Sequence, residues 1–122
     1  MKRAYPDLHD AIASMPMADS HEHLEDYGDR YRDDDDLLST YASHYFAEDL
    51  ALAGAGPELL ARVRDSGVDL AARWDAIEPF WEAARYTGYG QALDLSVRGL
   101  YGLDGLRRET LPEANRAFMA LK

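Results

Sequence analysis

The chain has no cysteine among its 122 residues, which excludes a disulfide framework and any metal held by thiolate. A metal bound here would have to be held by imidazole and carboxylate, a donor set that suits zinc, manganese or iron(II). Basic residues are few, 13 against 23 acids, for a net charge of −10. Nucleic-acid binding needs a basic face, so no nucleic-acid partner is expected and a cation is the better match. No apolar run approaches the roughly 18 residues of a membrane span, so no membrane partner is expected either. Lys2 and Arg3 have no apolar run behind them, so no signal peptide is read and the cytoplasm is the expected location.

What is present points to one domain or a piece of one. Hydrophobic residues make up 47% of the chain, and eight Tyr, three Phe and two Trp are spread along it, enough to build a core. The acids are uneven: nine acids and two arginines lie between Asp19 and Asp36, so that stretch alone carries −7. Taken by itself, a charge run of this kind solvates a loop.

The hydrophobic pattern predicts five or six helices and at most one short strand, a mainly α chain. Residues 6–14 read as a short helix, with Pro6 at its first position and Leu8, Ile12 and Met15 on one face. Residues 15–20 form a connector that could be a strand. Asp33 to Asp36 then precede a helix in which Leu38, Ala42, Phe46 and Leu50 recur every four residues; acids suit the positive end of its dipole. That helix is expected to run to Gly54, and Pro57 opens another through about Arg64. A further helix starts near Asp69, with Leu70, Trp74, Ile77 and Trp81 as its apolar face and a kink or break near Glu78, before Pro79. Gly88 and Gly90 loosen the next junction, and residues 91–101 form an amphipathic helix stopped by Gly102. Thr110-Leu111-Pro112-Glu113 matches a capping box opening a last helix to Lys122.

Asp19-Ser20-His21-Glu22-His23 is a D-x-H-x-H pattern. In an extended segment Asp19, His21 and His23 share a face, and two imidazoles roughly 7 Å apart can converge on one ion. A neighbouring carboxylate can fix the imidazole tautomer. The same spacing also arises by chance in acidic loops. His9, beside Asp10, reads as a surface histidine. His44 reads as a partly buried helix histidine. Trp74, Phe80 and Trp81 read as core, and Arg62, Arg64 and Arg73 as solvent-facing partners of nearby acids.

Around the histidine pair the wording is more specific. "DSHEHL", an acidic loop, then "SHYFAEDLALAG" resembles the start of the amidohydrolase superfamily of metal-dependent (β/α)₈ barrels, closest to uronate (glucuronate) isomerase and its uncharacterised relatives. His44-Tyr45 stands 21 residues after His23, as that pattern asks, and "WEAARYTGYGQALDLSVRGLYGL", with Tyr86-Thr87 before its helix and Tyr101-Gly102-Leu103 at its end, is similar to the family's helical insertion. The resemblance implies a single incomplete domain: an N-terminal helix over 1–16, the first barrel strand over 17–24, and a helical insertion over 25–122. It implies His21 and His23 as ligands of a divalent metal, zinc first, with Asp19 behind them. His44 and Tyr45 would meet a sugar-acid-like substrate. It departs from the family after His44-Tyr45, where Phe46-Ala47-Glu48-Asp49 replaces aromatic and basic residues. A barrel of this type runs roughly 250 residues, and catalytic zinc normally takes three protein ligands. The expectation is therefore the N-terminal part of an isomerase, hydrolase or decarboxylase, inactive alone, completed within a longer chain, a homo-oligomer or a complementing chain. The alternative from the residues alone is a small helical binding protein with no catalytic role.

Overall fold

The computed structural model describes residues 6–18, 20 and 34–121. Seven helices are seen among them and no strand: α1 Pro6–Ala13, α2 Leu37–Tyr41, α3 His44–Leu52, α4 Pro57–Arg64, α5 Leu70–Ala84, α6 Gly88–Tyr101 and α7 Leu111–Leu121. The mainly α expectation holds. The strand expected over 17–24 lies largely outside the described residues. Two compact units divide the chain, residues 1–30 and 31–122.

In the first unit α1 is amphipathic, as its spacing predicts, and Leu8, Ile12 and Met15 are all exposed. His9 is exposed too, with Nδ1 3.1 Å from Asp10 Oδ1.

The second unit has its own core. Leu37, Leu38, Leu50, Val63, Trp74, Ile77, Val97 and Leu111 are fully buried, and each of α2 to α7 contributes to it. At roughly 1.5–3 kcal/mol for each large apolar side chain taken out of water, these residues dominate the unit's stability. Trp81 joins α5 to α3 by an edge-on contact with Phe46 at 4.8 Å, and meets Trp74 at 5.2 Å. Trp74 and Trp81 are core as expected, and Phe80 is packed against it.

Four local expectations need correction. The helix expected from Leu37 to Gly54 is two helices, α2 and α3, because the chain turns at Ala42 and Ser43 and His44 takes a left-handed φ of 47°. The turn lets Leu37, Leu38 and Tyr41 as well as Phe46 and Leu50 reach the core. Of the kink or break expected near Glu78, the break does not occur: α5 is unbroken from Leu70 to Ala84 with Pro79 inside it. Trp74, Ile77 and Trp81 are buried on both sides of the proline, and this packing outweighs the lost backbone bond. The Thr110 hydroxyl does not cap α7 but bonds into the loop before it, donating to Gly105 O and accepting from Arg107 N.

The fourth correction is Arg73, which is buried rather than solvent-facing. Its guanidinium pairs with Asp36 and donates to Val63 O at 3.0 Å, so it joins the start of α2 to the end of α4. Asp36 also caps α2, accepting from Ser39 N while Ser39 Oγ accepts from Asp36 N. Burial is the largest influence on the Asp36 carboxyl and pushes its pKa up. The bonds from Arg73 and Ser39 together overcome it and hold the pKa below the usual 3.8.

Candidate functional site

Asp19, His21 and His23 lie outside the described residues. Among the described residues no group of three or more His, Asp or Glu is placed to hold a metal ion. The other expected site residues, His44 and Tyr45, begin α3 and are both exposed.

His44 is the one non-glycine residue with positive φ among the described residues. A left-handed backbone costs an L-residue roughly 1–2 kcal/mol. Burial of the side chain does not offset that cost, because His44 is exposed. Strain of this kind clusters at ligand-facing positions.

Tyr45, 45% exposed, lies flat against Tyr89 of α6, with ring centroids 5.1 Å apart and planes 13° from parallel. Such a pair adds roughly 0.5–1.5 kcal/mol beyond its buried area. One turn further along α3, Asp49 accepts a 2.6 Å bond from the Thr87 hydroxyl. Thr87 is the N-cap of α6: its oxygen accepts from Gly90 N and lies 2.9 Å from Ala84 O. The His44-Tyr45 and Tyr86-Thr87 stretches, 42 positions apart, therefore meet along the α3–α6 contact.

Gly90 allows the corner between α5 and α6. A Cβ on Gly90 would fall 2.4 Å from Ala84 O and 2.7 Å from Arg85 Cα. The junction expected to be loosened by Gly88 and Gly90 is instead a close backbone approach at Gly90. Tyr86 projects beyond the corner, 76% exposed, with the Arg85 guanidinium 5.7 Å from its ring centroid.

The resulting edge offers an imidazole, three phenols and one guanidinium, and its two flanks are tied by a charged hydrogen bond. It can stack on a planar or sugar-like face and hydrogen-bond to polar groups on it. Tyr89 and Asp49 were not found from the sequence. The signals were present: Tyr89 follows the Thr87 cap by two residues, and Asp49 lies one helical turn after Tyr45.

No family model, no curated protein and no solved structure matches the chain.

Proposed function

We propose that the chain is the front part of a metal-dependent (β/α)₈-barrel enzyme of the amidohydrolase type, similar to uronate isomerase, acting on a sugar acid or similar small polar substrate. The observation that carries this reading is His44: an exposed histidine held in a strained backbone, beside Tyr45 on an edge shared with Tyr86-Thr87. The family resemblance asks for these residues, and the His44 side chain is exposed although its backbone helps make the turn between α2 and α3.

The donor chemistry agrees. With no cysteine, His21 and His23 and the nearby carboxylates form an imidazole–carboxylate set that fits zinc, and also manganese or iron(II). A divalent ion there would polarise a carbonyl or activate a water. His21 and His23 would hold the ion, Asp19 would orient an imidazole, and His44 and Tyr45 would bind the substrate. Further ligands would come from later barrel strands, so the chain alone is expected to be inactive. A homo-oligomer or a complementing chain is the expected partner.

Titration of the purified chain with zinc by calorimetry tests this. One weak site per chain is expected, lost in both His21→Ala and His23→Ala. Alanine variants that bind zinc as well as the parent overturn the reading.

A second reading, a helical interaction protein with no catalytic role, is favoured by the hydrophobic core that α2 to α7 build among themselves. Sharp, cooperative melting indifferent to a chelator is the outcome it expects.

A further inference from the structure

We draw no further inference here: the strongest candidate, the exposed and uncharged face of α6 shared by Gly88, Ala92, Leu95 and Gly99, carries nothing because nothing in the structure shows what covers it.

Discussion

At the Asp36 end of the helical unit, charge is buried and tied; at the Tyr45 edge, aromatic rings and an imidazole stand in the open. Arg73 is 1% exposed and bonds Asp36 and Val63 O, though its Nε has no partner. Leu37 N is satisfied from α7 by Asn115 Oδ1 at 3.0 Å. At the other edge His44 bears strain in solvent and Tyr45 and Tyr89 stack while half-exposed. The first end holds α2, α4, α5 and α7 together. The second holds α3 against α6 and presents groups that the core does not need. Ion pairs on the surface belong to neither pattern: Arg98 with Asp94 and Asp104, and Arg108 with Asp75, are exposed and add little.

Breaking the buried end is expected to have the largest effect. Arg73→Met removes the charge, keeps most of the volume, and strands Asp36 and Val63 O. Loss of about 3–5 kcal/mol is expected from urea unfolding, the usual cost of removing one partner of a buried pair. In an Asp36→Asn background the same change should cost clearly less, and equal costs would show that the pair is not coupled. Acid probes the same contact. The folded Asp36 pKa is depressed, so its contribution is complete above the unfolded pKa and is lost as pH falls through the folded one. Stability should hold from neutral pH down to about pH 4, then drop, and Asp36→Asn should flatten that part of the curve.

The corner below the open edge comes next. Gly90→Ala puts a methyl group into the backbone of Ala84 and Arg85, which cannot move aside as a side chain can. A loss of roughly 1–3 kcal/mol is expected, with weaker near-ultraviolet tyrosine ellipticity as the Tyr45–Tyr89 stack loosens. Gly99→Ala is the contrast: its Cβ meets nothing within 4 Å. In a helix interior that change should stabilise by roughly 0.5–1 kcal/mol. If both variants melt alike, the close approach at Gly90 is not what shapes the corner.

The sequence was most legible where one local rule acts alone. Pro57 opens α4, Asp69 caps α5 and Gly102 ends α6 with φ of 68°, all at the expected places. It misled where tertiary packing outweighed a local rule. Pro79 is expected to kink or break a helix; α5 is unbroken, with buried tryptophans on either side of the proline. Arg73 read as a surface arginine because no rule of spacing reveals an acid 37 positions away. The period-four run through Ala42 concealed the turn that exposes His44. The edge was half legible: family-like wording marked His44, Tyr45 and Tyr86-Thr87, while Tyr89 and Asp49 needed the α3–α6 contact to be seen.

The smallest expected effect concerns His44 itself. Glycine adopts a φ of 47° at no steric cost, whereas alanine keeps the strain and loses the imidazole. His44→Gly should gain about 0.5–1 kcal/mol after its greater chain entropy is counted, a melting point a few degrees above the parent. His44→Ala should gain nothing. The two variants therefore share the loss of the imidazole and differ in the backbone alone. If His44 is kept for substrate, both should lose affinity equally while only glycine gains stability, a signature of strain held for function. If glycine is no more stable than alanine, the backbone at His44 is unstrained, and the residue loses the feature that sets it apart from an ordinary surface histidine.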